Sequence, residues 1–209
     1  MKGRRPGVLT ELQQQQKRES RARIVAAAND LYAHHSYAAT SIEDITRAAG
    51  ISRVTFYKHF KSKLDVAVGI LDGYTTSMID DYGSLADHAD PDVQQIGAWI
   101  RHILSLWRNQ RQAMITLSSL LRQDPELVAR RAQTYRKTVA KLGQGIPAFA
   151  LAASGTSEEA QIRAHLLLIE LEDLCYELVI SGWQVDEDIA INVVAGHFRE
   201  FIVAMHPPQ

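Results

Sequence analysis

The chain of 209 residues contains a single cysteine, Cys175, and no long apolar run. One cysteine can form neither an internal disulfide nor a cysteine-based zinc cluster, so we expect a reducing, cytoplasmic setting. The longest uninterrupted apolar run covers residues 148–153, far short of the roughly 20 residues that a membrane-spanning helix needs. We therefore expect neither a disulfide-stabilised secreted domain nor a membrane protein.

Sequence motifs of the common catalytic classes are also missing. The chain has no HExxH, P-loop or GxSxG motif, and its eight histidines are scattered along the sequence. Cys175 stands in an apolar helical pattern with no base nearby in sequence, which is typical of an inert core cysteine. We predict a protein that is not an enzyme and that needs no metal and no other cofactor.

The small net charge of −1 hides an uneven distribution along the chain. Residues 1–63 hold 12 Lys and Arg against 5 Asp and Glu, whereas residues 64–209 hold 11 against 19. A basic first third is typical of a part that binds a polyanion, with nucleic acid ahead of a membrane surface. A charged face that only contacts solvent remains the alternative reading.

Apolar residues recur at helical spacing throughout, and no convincing alternating strand is present. The pattern predicts an all-α protein with two parts. Residues 1–63 would form a loose basic arm, over residues 1–9, and a three-helix domain with a helix-turn-helix. Residues 64–209 would form a larger helical domain. The arm carries Lys2, Arg4 and Arg5, which either reach an adjacent DNA groove or make no contact.

Capping residues predict where the individual helices begin. Either Thr40 with Glu43 or Ser41 with Asp44 would start the first short helix, and Ser52 the second. Further starts are predicted at Asp90-Pro91, Asp124-Pro125, Thr156 and Asp186.

Residues 40–60 have the pattern of a helix-turn-helix that enters a DNA groove. Gly50 separates two short helices, and Ile51, Phe56 and Phe60 give the second helix an apolar face. Its other face is polar and basic: Arg53 suits guanine, Val54 a thymine methyl, and Tyr57 and Lys58 suit phosphates. The predicted DNA-contacting residues are Thr40, Ser41, Ser52, Arg53, Val54, Thr55, Tyr57, Lys58, His59 and Lys63. The alternative is a helical adaptor whose polar face binds a protein or another acidic partner.

The region from Arg23 to Leu64 resembles the DNA-binding domain of the TetR family of transcriptional regulators. The matching motifs are Tyr37-x-x-Thr-Ser-Ile-x-x-Ile45, Ala48-Ala-Gly-Ile-Ser52 and Thr55-Phe-Tyr-x-His-Phe-x-Ser-Lys63. Two positions depart from the family pattern. Ser36 stands where glycine is usual after the first helix, and Val54 stands where a small residue is common. We therefore carry over no operator sequence.

This resemblance implies a homodimer, usually a repressor, whose second helical domain binds a small molecule and thereby moves the two DNA-reading helices. The tryptophans favour an apolar or aromatic effector. Predicted pocket residues are Trp99, His102, Ile103, Trp107, Met114, Leu117, Leu121, Tyr135, His165, Glu172 and Tyr176, although each could equally be plain core. The arginines between residues 122 and 136 either anchor an anion or form a solvated face.

The last two long helices are the predicted dimer interface, because each is apolar over more surface than one buried side requires. The residues assigned to this interface are Leu174, Leu178, Val194, Phe198, Phe201, Ile202 and Met205. The alternative is that these side chains only complete the core of one subunit.

Overall fold

The computed structural model describes residues 6–121 and 125–205, which are helical with no strand. The α-helices within these ranges are α1 (Pro6–His34), α2 (Ile42–Ala48), α3 (Arg53–Tyr57), α4 (Lys63–Gly83), α5 (Val93–Asn109), α6 (Arg111–Leu121), α7 (Pro125–Leu142), α8 (Pro147–Ser154), α9 (Glu158–Tyr176) and α10 (Glu187–Ala204). A 3-10 turn at Ser84–Asp87 follows α4, and a π-helical turn at Glu177–Ser181 follows α9. The predicted all-α class is confirmed.

Contacts within the chain fall into two compact units, Met1–Gly73 and Tyr74–Gln209. The division predicted after residue 63 falls at the first residue of α4, whereas the contacts divide the chain within α4. No helix within the described ranges is long and apolar enough to cross a membrane.

The first unit is built from α1, α2, α3 and the start of α4. Its core is made of side chains with little or no exposure, namely Ile24, Ala28, Tyr32, Ile45, Phe56, Phe60 and Val66. The loose arm predicted over residues 1–9 is wrong from residue 6 onward, because α1 begins at Pro6. Proline suits a first helical position, since the N–H that it lacks would have no partner there. Lys2, Arg4 and Arg5 lie outside the described residues.

Local capping bonds define the helix-turn-helix. Of the two predicted starts of α2 the structure takes the second: Ser41 Oγ accepts from the Asp44 N–H at 3.1 Å, and the Asp44 carboxylate accepts from the Ser41 N–H at 3.0 Å. Gly50 then adopts a φ of 63°, the left-handed conformation in which glycine is favoured after a helix. Ser52 Oγ accepts from the Thr55 N–H at 3.0 Å, which starts α3 as predicted.

The second unit has a large aromatic core. Helix α5 packs along α10, and α8 packs against both α7 and α9. Trp99 meets Phe198 edge to face with ring centroids 5.3 Å apart. Between α7 and α8 the chain comes so close to the 3-10 turn that a Cβ on Gly145 would overlap the carbonyl oxygen of Ala86.

Two predicted helix starts in the second unit are wrong by one or two residues. Helix α5 is capped by Asp92, whose Oδ1 accepts from the Gln95 N–H at 2.8 Å, while Asp90 forms an ion pair with Arg199. Helix α9 is capped by Ser157 rather than Thr156. The start at Asp186 is confirmed, and Asp124 lies outside the described residues.

Candidate nucleic-acid interface

Helix α3 has one buried face and one exposed face, and the exposed face carries the predicted base-reading residues. Phe56 is fully buried and Phe60 nearly so. Opposite them Val54 is 68% exposed and Tyr57 47% exposed, and Arg53 and Lys58 are also exposed. The aromatic anchors therefore fix the helix to the first unit and leave its other side free to contact a partner.

Arg53 is held in place by an acidic side chain from the preceding helix. Its guanidinium forms an ion pair with Glu43 of α2 and lies 5.9 Å from the centre of the Tyr57 ring. Hydrogen bonding with Tyr57 raises the pKa of Arg53 above its ordinary value, and the charge of Glu43 adds to the rise. Since a guanidinium has five N–H donors in a fixed fork, donors remain for a base edge.

Ser41, Ser52 and Thr55 use their side chains within the helix-turn-helix. Ser41 Oγ donates to the Asp44 carboxylate at 2.6 Å. The hydroxyl oxygens of Ser52 and Thr55 lie 2.9 Å apart and share a hydrogen bond. These three predicted contact residues therefore shape the ends of α2 and α3 in this structure.

Two predicted DNA contacts, Thr40 and Lys63, use their side chains to bind the protein itself. Thr40 is only 3% exposed and donates its hydroxyl hydrogen to the backbone oxygen of Ser36 at 3.0 Å. The Lys63 ammonium donates to the backbone oxygens of Tyr37 and Thr40, both at 2.7 Å. These acceptors lie more than 20 residues earlier in the chain, so local pattern could not reveal the pairing.

His59 lies at the end of α3 among several cations. Its Nδ1 is buried and has no hydrogen-bond partner among the described residues. Burial lowers the pKa of His59, and the charges of Lys17, Arg21 and Lys58 lower it further. Both effects favour the neutral form of the ring.

Sequence reasoning missed several basic residues in the same unit. Arg47 of α2 and Lys61 before α4 are exposed. On α1, Arg21 lies over the Phe60 ring at 4.9 Å, one helical turn after Lys17. A spacing of four residues between two cations on one helix was the available signal, because it places them on one face.

The first seven of the eleven predicted effector-pocket residues separate into three groups. Trp99, Ile103, Trp107 and Met114 are buried in the core of the second unit. His102 is exposed and lies 3.7 Å from Asp81, so it lies outside that core. The side chains of Leu117 and Leu121 lie outside the described ones. A cavity of about 10 Å³ borders Tyr82, Trp107 and Met114, which is too small for an effector.

Tyr135, His165 and Glu172 of the predicted pocket do come together, around Arg131. Arg131 forms an ion pair with Glu172 at 2.9 Å and donates to the Tyr135 hydroxyl oxygen at 2.6 Å. The Tyr135 hydroxyl in turn donates to the Glu172 carboxylate, and its ring meets the His165 ring at 5.0 Å. Burial raises the pKa of Glu172, against the lowering effect of Arg131. Tyr176 is partly buried against the core.

The predicted dimer interface requires a correction. Phe198, Phe201 and Ile202 are 0–1% exposed within the single chain, so they have no surface to offer a partner. Leu174 and Val194 line an apolar groove of about 770 Å³ instead. Leu178 and Met205 are partly buried against the core. The remaining lining includes exposed apolar side chains, namely Leu166, Trp183, Val185, Ile189 and Val193.

No cluster of three or more His, Cys, Asp or Glu side chains within the described ranges is arranged to hold a metal ion. Cys175 is fully buried, and burial raises the pKa of its thiol well above the usual value.

Comparison with known proteins shows which regulators the chain resembles. Residues 24–68 match the model of the family described as bacterial regulatory proteins, tetR family. The chain is 28% identical over 61 residues to the HTH-type transcriptional activator FasR of Mycolicibacterium smegmatis, and 26% identical over 93 residues to the HTH-type transcriptional regulator TtgR of Pseudomonas putida. These matches cover 29% and 44% of this chain, and 28% and 43% of the relatives, so the chain spans less than half of the curated relatives that it matches.

Solved structures extend the similarity to the whole fold. The transcriptional regulator FadR of Bacillus subtilis, solved in complex with stearoyl-CoA, superimposes with a TM-score of 0.63 at 16% identity, covering 89% of this chain and 99% of FadR. Residues 24–68 thus match the tetR family of bacterial regulatory proteins, and the chain shares its overall fold with a solved transcriptional regulator.

Proposed function

We propose that this protein is a homodimeric, sequence-specific DNA-binding regulator, a repressor that a small-molecule effector releases from its operator. The observation that carries the proposal is the two-sided α3, whose aromatic face is buried while Arg53, Val54, Tyr57 and Lys58 are exposed. The major groove, about 12 Å wide, admits such a helix. Binding to chromosomal DNA would place the protein in the cytoplasm.

Each exposed side chain of α3 suits a different part of the duplex. Arg53 can donate two hydrogen bonds to guanine O6 and N7, and Val54 can contact a thymine methyl. Tyr57 and Lys58 suit phosphate oxygens, which fix the position of the helix without reading sequence. Arg47 and Lys61 add two exposed cations in the same unit, and both fit the phosphate backbone.

Dimerisation through the groove of α9 and α10 supplies the second reading helix. Contiguous apolar surface rimmed by charge, here Glu170, Asp173 and Glu177, is typical of a protein interface. Two copies related by a two-fold axis would bury the same groove on both subunits as a four-helix bundle. The half-sites on DNA would then lie about one helical turn apart, or a multiple of it.

An effector that stabilises one arrangement of the second unit would release the dimer from DNA, because a ligand shifts an equilibrium by its differential affinity for the two states. The FadR structure was solved with a bound ligand, which supports ligand binding by this fold. The relatives are named as regulators and not as enzymes, which supports a regulator here as well.

Selection from a pool of random duplexes tests the proposal. We expect enrichment of one two-fold symmetric site, together with footprint protection of the same site upstream of a reading frame. Lys137→Ala, which removes an exposed cation of the second unit, serves as the control for loss of charge. Equal retention of random DNA, heparin and acidic peptides would instead identify an adaptor for acidic partners.

A further inference from the structure

We propose that Arg131 is the anchor for a carboxylate-bearing effector, and that Glu172 occupies this anchor as an internal substitute when the effector is absent. The inference rests on the proposed function, since it names the chemical class of the small molecule that the second unit would bind. It is carried by the arrangement of Arg131, Tyr135 and Glu172.

The cluster already binds one oxygen of a carboxylate, Glu172 Oε2, through several donors. The Glu172 carboxylate receives the Arg131 guanidinium at 2.9 Å and the Tyr135 hydroxyl as two separate donors. The Arg131 Nε also donates to the same Glu172 oxygen at 3.1 Å. A guanidinium and a phenol converging on one carboxylate would hold the carboxylate of a ligand by the same bonds.

Solvent reaches Arg131 more readily than it reaches Glu172. The Arg131 side chain is 32% exposed, whereas Glu172 retains only 17%. A ligand arriving from solvent therefore meets the cation first and can displace Glu172 from it. Aromatic groups lie near the cluster: the Tyr135 ring meets the His165 ring, and Tyr82, which accepts from Trp107 at 3.0 Å, is close enough for Glu172 to raise its pKa.

Displacement is tolerable only if Glu172 loses its charge. A buried carboxylate that lost its cation would be strongly destabilising. The surroundings favour protonation: burial raises the pKa of Glu172, and Asp173 of α9 adds to the rise. Its other titratable neighbours are Tyr135 of α7, Tyr82 of α4 and Cys175 of α9, and none of them carries a positive charge. His165 of α9 meets the Tyr135 ring, and burial lowers its pKa, which favours its neutral form.

Effector binding is therefore coupled to a proton. The ligand carboxylate pairs with Arg131, and Glu172 takes up one proton from solvent, so the cluster keeps one cation and one anion throughout. By linkage, affinity for the carboxylate rises as pH falls, by up to about tenfold per pH unit over the range in which one full proton is taken up.

Isothermal titration calorimetry of the full chain without DNA tests this directly, with octanoate and benzoate as probes and octanamide and benzamide as their uncharged counterparts. Titrations at about pH 6 and about pH 8 bracket neutral conditions, and repetition at each pH in two buffers of different ionisation enthalpy gives the number of protons taken up. We expect the carboxylates to bind at least about tenfold more tightly than the amides, as loss of one charged pair implies. About one proton should enter per ligand.

Three variants distinguish the role of Arg131 from that of Glu172. Arg131→Gln should abolish the preference for carboxylate over amide. Glu172→Gln should bind the carboxylates at least as tightly as the wild type at the higher pH, with no proton uptake. Lys137→Gln removes an exposed cation from the same helix and should bind like the wild type. Thermal unfolding checks that each variant is folded. If Glu172→Gln does not fold, the number of protons taken up by the wild-type protein decides whether carboxylate binding is coupled to a proton.

The inference is overturned if neither carboxylate binds at ligand concentrations up to about 10 mM, which still detects weak binding. It is also overturned if Arg131→Gln binds the carboxylates with the same preference over the amides as the wild type. DNA retention is measured separately on the ligand-free protein. Carboxylate binding without DNA binding would reject the proposed regulator and keep the anchor, whereas the reverse would reject only the anchor.

Discussion

The Lys63 Nζ lies 2.7 Å from the backbone oxygen of Thr40, and it lies equally close to that of Tyr37. It is also 4.2 Å from the centre of the Tyr37 ring. The first residue of α4 thereby closes the turn between α1 and α2, and the Tyr32 hydroxyl donates back to the Lys63 carbonyl at 3.3 Å. The sequence predicts that Lys63 binds phosphate, whereas in the structure its ammonium binds backbone oxygens at the start of the helix-turn-helix.

Replacing Lys63 should therefore lower the stability of the fold more than it changes the charge available to DNA. Lys63→Met leaves two carbonyl oxygens without their donor, and we expect a loss of about 1–3 kcal/mol in the free energy of unfolding. Lys61→Met is the matched control, since Lys61 is exposed, and it should change stability by less than about 0.5 kcal/mol. Urea unfolding measures both. Equal losses would show that the contacts of Lys63 carry no stability.

Lys58 should contribute to DNA affinity through a phosphate contact. Because a phosphate contact releases a counterion, Lys58→Ala should weaken binding to all sequences alike and lower the slope of log K against log salt by about one per subunit. Fluorescence anisotropy at several salt concentrations measures the slope. Lys137→Ala should leave it unchanged. An unaltered slope for Lys58→Ala would remove Lys58 from the interface.

Arg53 should behave differently, because its contact carries sequence information. Arg53→Ala should relax the preference at one base pair of each half-site, with a loss of about 1–3 kcal/mol on the preferred site only. Binding to random DNA should fall much less. Competition between the selected site and single-base variants measures the preference. A uniform loss on all sequences would make Arg53 another phosphate contact.

The apolar groove of α9 and α10 gives a prediction about assembly. Val193→Asp places a charge on its exposed wall and should shift the protein from dimer to monomer, because an unpaired charge in an apolar interface is costly. Val128→Asp is the matched control, since Val128 is exposed on α7 outside the groove. Sedimentation velocity separates the species. A Val193→Asp protein that remained dimeric would place the interface elsewhere.

His59 gives a prediction about pH. Its pKa is lowered in the folded chain, so protonation favours the unfolded chain, and the contribution of His59 is present above the unfolded value of about 6.5. That contribution is lost as pH falls through the folded-state pKa. The unfolding free energy of the wild type should thus decline relative to His59→Gln on acidification. Burial lowers the pKa of His165 as well, and this comparison cancels its effect. Parallel curves would contradict the assignment.

Local pattern predicted the helix-turn-helix well because caps and turns are local. The Ser41 cap, the turn at Gly50 and the Ser52 cap each depend on bonds that span three or four residues. The choice between Thr40 and Ser41 was beyond the pattern, since both precede an acidic residue at the same spacing. The structure resolves it by burying the Thr40 hydroxyl against the Ser36 carbonyl.

Relations between distant helices could not be predicted in the same way. Helix α10 is apolar on more than one side, and periodicity does not tell which side meets its own core. The structure gives Phe198 and Phe201 to the core and leaves Ile189 and Val193 exposed. Likewise the sequence left Arg131 between two readings, and only the folded chain pairs it with Glu172, 41 residues away.

Crosslinking from position 54 tests the central claim, that the exposed face of α3 lies against DNA bases. A benzophenone amino acid replaces Val54 in one protein and Val128 in a second, and each is irradiated with the selected duplex. We expect crosslinks from position 54 to bases within the half-sites and none from position 128. Equal crosslinking from both positions, or crosslinks from position 54 to protein alone, would contradict it.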